Sequence, residues 1–148
     1  MPNAWGGSQV LTDNNEPGSD YELGSRFVTS DDITISHVRV YAPNGTDTPL
    51  SGRKARVWSS TGVELYQVAL PDVLSAGWTS HPLAEPLEVV AGTAFWASYS
   101  ALRYYGHTAG GFPVPSSDGL ISATAAAFHD TPGVFPTSLG SNFYGVEF

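Results

Sequence analysis

Residues 86–99 contain two runs of β-favouring residues joined at a glycine, in the order Pro86-Leu87-Glu88-Val89-Val90-Ala91-Gly92-Thr93-Ala94-Phe95-Trp96-Ala97-Ser98-Tyr99. Gly92 supplies the positive φ that a tight reversal of the chain needs. In the second run, Phe95, Ala97 and Tyr99 fall on one face of a strand, and the residues between them fall on the other. We therefore predict a β-hairpin whose second strand is covered on both faces or turns one face to a partner.

Short β-favouring runs separated by turn residues also make up the rest of the chain. The 16 glycines and 11 prolines are spaced too closely for long helices. In the run that starts at Ile33, the apolar positions change phase near Ser36-His37, which predicts a β-bulge or a twist in the strand. Residues 123–128 fit a helix or a strand equally well. Further strands are predicted over residues 21–28, 33–41, 54–59, 63–70 and 141–148.

This pattern is typical of an all-β fold, an antiparallel, jelly-roll-like β-sandwich. With 148 residues the chain is large enough for one domain with its own core. We place that domain at residues 21–148, after a Gly- and Asn-rich arm and loop at residues 1–20.

Charge and composition exclude several classes of partner. The formal net charge is -8, from 6 basic and 14 acidic residues, and this balance argues against binding to nucleic acid. The absence of cysteine excludes disulfides and thiolate metal sites. No run approaches the ~18 to 20 apolar residues of a membrane-spanning helix, so no membrane partner is expected. Residues 1–7 lack the basic and apolar sections of a signal peptide, so we expect synthesis in a host cytoplasm without export.

Several short pieces together resemble the bacterial family known as domain of unknown function 4082. They lie in the same order and spacing over about residues 21 to 148: Glu22-Leu23-Gly24-x-x-Phe27, the run from Ile33 to Tyr41, Trp58-Ser59-x-x-Gly62, Gly77-Trp78, Pro86 through Tyr99, Gly106-His107, Phe135-Pro136-Thr137-Ser138 and Ser141-Asn142-Phe143-Tyr144. The resemblance implies a jelly-roll-like β-sandwich that is usually one module of secreted bacterial proteins acting on or adhering to polysaccharide.

This resemblance implies no catalytic residues. The chain also departs from the family pattern at its end, where residues 142–147 stand in place of the usual tryptophan and aspartate. Ligand contacts of those two family residues are therefore not carried over to this chain.

Residues with catalytic chemistry form no recognisable constellation. The chain has no Gly-x-Ser-x-Gly elbow, and the histidines at 37, 81, 107 and 129 form no pair on one element that would suggest zinc. The glutamates at 22, 64, 85, 88 and 147 are interpreted as solvated strand residues rather than a glycosidase pair. We therefore predict no enzyme activity and no cofactor.

Aromatic residues carry the strongest indication of binding, because exposed rings stack on sugars or anchor protein interfaces. Trp58 and Trp78 lie in regular strands and are predicted to lie in or beside the core. His107 has two interpretations, a contact to a sugar or partner and, preferred, a brace within its own loop. The candidate contacts to a partner or ligand are Trp5, Trp96, Tyr104, Tyr105, His107 and Phe112.

Calcium ligands are a weaker alternative. Carboxylates cluster in a turn-rich loop at Asp13, Glu16 and Asp20, and again at Asp31 and Asp32. Neither cluster has the spacing of a known calcium loop, and aspartate is common in turns for conformational reasons alone. The preferred interpretation is therefore that these residues stabilise turns, with no metal bound.

Two functions from different classes follow, with a hydrolase kept as a third alternative. The first is a non-catalytic structural module on the surface of a bacteriophage virion, a capsid decoration or minor capsid or tail-surface protein that contacts capsid or tail proteins and can self-associate. It depends on the mismatch between exported relatives and a short chain that starts at its own methionine without an export signal. The second is a carbohydrate-binding or adhesion module of a cell-surface or secreted protein, which predicts a solvent-facing row of rings and a glycan ligand.

Overall fold

The fold consists of β-strands and their connections. A computed structural model of the protein describes residues 12–14, 20–42, 51–101, 105–109, 114–115, 119–140, 142–143 and 146–148. No helix is found among these residues, so none there could cross a membrane. The strands are β1 (Thr12–Asn14), β2 (Tyr21–Thr29), β3 (Ile33–Ala42), β4 (Lys54–Ser59), β5 (Glu64–Ala69), β6 (Gly77–Val89), β7 (Ala94–Ala101), β8 (Tyr105–Ala109), β9 (Val114–Pro115), β10 (Ile121–His129), β11 (Ser138–Gly140), β12 (Asn142–Phe143) and β13 (Val146–Glu147).

Three antiparallel sheets are formed by these strands. The large sheet has the order β11-β10-β2-β7-β4-β5, with β9 also paired to β10. The small sheet has the order β13-β3-β6, and a third sheet has the order β1-β8-β12. Strand β1 lies within the segment predicted as arm and loop, and it pairs with β8. The large and small sheets pack face to face, which confirms the predicted β-sandwich.

The core lies between the large and small sheets. Strands β2 and β7 are central in the large sheet, and alternate residues of each point into this core. Phe27 and Phe95 stack with ring centroids 6.0 Å apart, and Phe148 contacts each of them at 5.0 Å. The remaining residues of β7 point to the opposite face and are also buried. Of the two arrangements predicted for this strand, cover on both faces or one face turned to a partner, the structure has the first.

The reversal at Gly92 is real, but the predicted hairpin is wrong. Gly92 has a φ of 77°, as the turn requires. Strand β6 pairs with β3 in the small sheet, whereas β7 pairs with β2 and β4 in the large one, so the turn crosses between sheets. Asp32 Oδ1 accepts a hydrogen bond from Ala91 N (2.9 Å), and Thr29 O accepts one from Gly92 N (2.8 Å). These hydrogen bonds hold the β6–β7 turn against the turn between β2 and β3.

Two other local expectations concern β3 and β10. The pairing of β3 with β6 shifts register between Ile35 and His37, so the ladder is irregular at the place where the sequence predicts a bulge or a twist. Residues 123–128, for which helix and strand both remained open, lie in β10. Strand β10 pairs with β2 over eight residues, and this pairing satisfies the main chain in an extended form.

Strand β6 runs without a break from Gly77 to Val89 and so includes the first run of the predicted hairpin. It continues through Pro82 and Pro86, which lack the N–H that a central strand would need. Because β6 is the edge of the small sheet, one side of its main chain has no partner strand among the described residues, and proline is tolerated there. Pro82 also pairs with His37, beside the β3 bulge.

Candidate functional site

A buried carboxylate lies on the outer face of the large sheet, the face turned away from the small sheet. Glu22 of β2 is fully buried. Its Oε2 accepts a hydrogen bond from Ser98 Oγ (2.6 Å), and its Oε1 accepts bonds from Arg56 Nη1 (2.9 Å), Ser100 Oγ (3.0 Å) and Gly133 N (2.8 Å). Trp58 Nε1 extends the network by donating to Ser98 Oγ (2.7 Å). The interpretation of Glu22 as a solvated strand residue is therefore wrong.

Strand alternation explains why these groups meet. Glu22 lies opposite Ser100 across the β2–β7 pair, and Arg56 lies opposite Ser98 across the β4–β7 pair. Side chains directly opposite each other on antiparallel strands lie close together on one face. Three neighbouring strands thus present a carboxylate, two hydroxyls and a guanidinium to the same place.

Residues 131–137, here called the strap, cover this outer face. Phe135 lies 5.4 Å from the Trp58 ring and 5.7 Å from the Trp96 ring, centroid to centroid. Two glycines give the strap room: a Cβ on Gly62 would lie 2.7 Å from the Phe135 ring, and one on Gly24 would lie 2.8 Å from Pro136 Cγ. The strap is therefore held by ring packing at 135, close contact at 136 and the hydrogen bond from Gly133 to Glu22.

Arg56 sits between two carboxylates. Its Nη1 contacts Glu22 at 2.9 Å, and its Nε lies 3.6 Å from Glu64 Oε2. One positive charge thus faces two negative ones, of which Glu22 is buried and Glu64 is exposed. All oxygens of Glu22 are already bonded inside the fold, so the geometry gives this carboxylate a role in holding the strap rather than in contacting a ligand.

The predicted aromatic contacts fall in different places. Trp96 is 7% exposed and packs with Trp58 and Ala127 beneath Phe135, which leaves little ring surface for a partner. As a binding residue it stays a prediction, and its burial counts against it. Tyr105 and His107 lie in β8, opposite Asn14 and Thr12 of β1. Trp5, Tyr104 and Phe112 lie outside the described residues. Trp58, predicted in or beside the core, is buried as expected.

Two of the candidate calcium ligands take part in turns. Asp32 bonds to the turn at Ala91, and Asp31 accepts a hydrogen bond from Ser30 Oγ (3.3 Å). Asp20 is exposed, Asp13 lies in β1, and Glu16 lies outside the described residues. Within the part of the chain that the structure describes, no three acidic or histidine side chains are grouped as metal ligands would be.

Charge is divided sharply between surface and interior. The described basic side chains are all at least half-buried and bonded: Arg26 to Thr124, Arg53 to Ser100 O, Lys54 to Gln67, Arg56 to Glu22, and Arg39 against the Trp78 ring at 5.1 Å. The exposed acidic residues are Asp20, Asp31, Asp32, Glu64, Asp72, Glu85, Glu88 and Asp130. Over the described residues, the charge that meets solvent is therefore negative.

An open cleft of about 220 Å³ lies where the edge of the large sheet at β5 approaches the small sheet at β6. Its wall includes Leu65, Leu87, Val90 and Phe95, with Glu88 on the same lining. Leu65 is 44% exposed and Val90 is 64% exposed, which is high for aliphatic side chains in a folded domain. This surface is here called the β5–β6 cleft.

Sequence reasoning did not find the hydrogen-bond network of Glu22 or the β5–β6 cleft. The partners of Glu22 are 34 to 111 residues away along the chain, and no local pattern joins them. Leu65 and Val90 occur in ordinary strand-like runs, so only the order of strands across the sheets reveals that they lie at an edge. For Glu22, the one signal in the sequence was its place in the Glu22-Leu23-Gly24 piece of the family resemblance.

The fold and this site define an antiparallel β-sandwich module with a strapped outer face and an acidic surface. The comparison with family models identifies the family: residues 8–145 match the model described as domain of unknown function (DUF4082), and the chain belongs to that family. No curated protein matches the chain.

Proposed function

We propose that this chain is a non-catalytic binding module that attaches to a protein assembly, and that the assembly is the surface of a bacteriophage virion. The observation that carries this proposal is the division of charge described above. In the described region, the basic side chains are at least half-buried and bonded within the fold, whereas eight acidic side chains are exposed to solvent. A surface of one sign is suited to selective attachment to a partner of the opposite sign.

The position of the buried Glu22 carboxylate favours a structural role for it over a chemical one. A general acid or base must reach its substrate within hydrogen-bond distance. Glu22 instead uses both oxygens on groups of its own fold, and the strap closes over it. This supports a module whose buried polar groups stabilise the structure and whose surface makes the functional contacts.

The sign of the surface charge favours the outside of a particle over its lumen. Packaged DNA presents a dense array of phosphates, which repel an acidic surface. An acidic decoration or tail-surface protein meets no such repulsion on the outer shell. The carbohydrate-binding alternative requires solvent-facing rings, and every ring whose exposure is described is buried or half-buried.

The test is mass spectrometry of phage particles purified by density gradient from lysates of cells that carry the gene. We expect the chain to co-purify with particles at a fixed ratio to the major capsid or tail protein, and to be digested by protease added to intact particles. Particles that lack the chain would overturn the virion proposal. If, in addition, cell-wall polysaccharide quenched its tryptophan fluorescence saturably, the carbohydrate-binding alternative would replace it.

A further inference from the structure

The β5–β6 cleft combines an apolar wall, a free strand edge and an acidic rim. We propose that it is the attachment site of the module, and that its occupant is an extended segment of a partner protein with alternating apolar and basic side chains. This inference rests on the proposed function, because it names by chemistry the part of the assembly to which the module binds.

The size and lining of the cleft suit a side-chain anchor. Its volume of about 220 Å³ lies below the roughly 300–1,000 Å³ of sites for small molecules. Leu65, Leu87 and Phe95 give it an apolar wall. Anchoring aliphatic or aromatic side chains in such recesses supplies much of the affinity at protein interfaces.

Among the described residues, one side of the β5 main chain has no partner strand. Strand β5 ends the large sheet, and its one partner strand among the described residues is β4. Leu70 N donates to Arg53 O (2.9 Å), which identifies that pair as hydrogen-bonded in the antiparallel ladder. Because such pairs alternate, Tyr66 and Val68 also turn their main-chain groups toward β4, and Gln67 and Ala69 turn theirs to the free edge. An added strand would find donors and acceptors there.

The acidic rim defines the charge of the occupant. Glu88 lines the cleft, and its two oxygens accept hydrogen bonds from the neutral hydroxyl of Thr34 (2.9 and 3.0 Å), which does not neutralise its charge. Glu64 precedes Leu65 and shares the single charge of Arg56 with Glu22. Negative charge is therefore present on the lining of the cleft, at Glu88, and on β5 next to Leu65, at Glu64. A second copy of this acidic chain would be repelled, whereas lysine or arginine side chains would be attracted.

A fluorescein-labelled synthetic peptide that alternates valine and lysine is the probe, and fluorescence anisotropy measures its binding. The charge control is the same peptide with glutamate in place of lysine. We expect saturable binding of the lysine peptide that weakens as salt is raised, and no binding of the glutamate peptide. Equal binding of the two peptides, or binding of neither, would overturn the inference.

Three variants locate the site. Leu65→Lys removes part of the apolar wall and adds a positive charge that repels the basic peptide, so binding should weaken by about tenfold or more. Leu139→Lys is the matched control, because Leu139 is 77% exposed on β11, at the opposite edge of the same sheet. Gln67→Pro removes a main-chain N–H at the free edge without changing the apolar wall, and it should weaken binding as well. Equal affinities for Leu65→Lys and Leu139→Lys would refute the location.

Two further measurements distinguish a basic segment from a second copy of the chain as the occupant, and the cleft proposal from the virion proposal. Sedimentation velocity of the protein alone should show a monomer; a dimer that Leu65→Lys abolishes would assign the cleft to a second copy and overturn the basic segment. Virions that still incorporate the Leu65→Lys variant would leave the virion proposal intact and refute the cleft. A wild-type chain that binds the peptide but is absent from virions would support the cleft and refute the virion proposal.

Discussion

Replacing Glu22 by glutamine removes one negative charge from a fully buried position without changing the shape of the side chain. The amide keeps one acceptor oxygen, so it cannot accept all four of the hydrogen bonds that the carboxylate receives from Arg56, Ser98, Ser100 and Gly133. Removing one partner of a buried ion pair costs about 3–5 kcal/mol when the other charge is left alone. In the variant, Arg56 still has a counter-charge in Glu64, whose Oε2 lies 3.6 Å from Arg56 Nε, so the cost should be smaller. We therefore expect Glu22→Gln to lower the free energy of unfolding by about 2–4 kcal/mol.

Urea unfolding followed by tryptophan fluorescence measures this change. With an m-value of about 2 kcal/mol per molar, the midpoint should fall by about 1–2 M. The matched control is Glu64→Gln, the same exchange on the exposed carboxylate that faces the same arginine, and it should change stability by less than about 1 kcal/mol. The near-ultraviolet circular dichroism should also weaken in Glu22→Gln, because Trp58 is bonded to Glu22 through Ser98. Equal stabilities for the two variants would refute the argument that Glu22 holds the strap.

Two further predictions concern the strap and the pH dependence of stability. Gly62→Ala should lower the free energy of unfolding by about 2–4 kcal/mol, because the added methyl group clashes with Phe135 and the residue has a φ of 88°. The control is Gly52→Ala, which has a φ of 76° but open space around it and should cost about 1–2 kcal/mol in the same urea assay. Equal losses in the two variants would show that the clash with Phe135 adds nothing. Burial lowers the pKa of His81, so the unfolded chain binds a proton more readily than the folded one once the pH falls below about 6.5. The free energy of unfolding should therefore decrease as the pH falls from 7, and it should decrease less steeply in His81→Gln. His37→Gln, the same exchange at an exposed position, is the control. If His81→Gln had the same dependence of stability on pH as the wild type, this prediction would be refuted.

Local patterns were sufficient for the strands but not for their partners. The alternation in β7 and the change of phase in β3 depend on neighbouring residues, and both appear in the structure as predicted. The turn at Gly92 has the same local chemistry whether its flanking strands pair or cross between sheets. Packing decides between these two outcomes, because β7 reaches its partners β2 and β4 through contacts that are distant in sequence. Similarly, the prolines of β6 indicate a strand boundary until its position at an edge is known.

The contacts on the outer face of the large sheet are even harder to predict from local sequence patterns. A glutamate in an alternating strand is normally solvated, and the sequence near Glu22 contains nothing to cover it. Its cover comes from the strap, more than 100 residues later, and its counter-charge comes from a different strand. The burial of Glu22 is therefore a property of the assembled sheet. It follows from the positions of Arg56 and Gly133 rather than from the sequence around Glu22.

Three of the pieces that carry the family resemblance meet in one contact. Glu22 and Gly24, Trp58 and Gly62, and the Phe135-Pro136 pair belong to separate quoted pieces, yet all of them build the contact between the sheet and its strap. Such a cluster fixes strand order and register, because one carboxylate must meet donors from β4, β7 and the strap at once. Leu65 and Gln67, at the edge that we propose for attachment, lie outside every quoted piece. The lining residues Leu87, Glu88, Val90 and Phe95 lie in the piece from Pro86 to Tyr99, so the resemblance covers the strap contact and one side of the cleft.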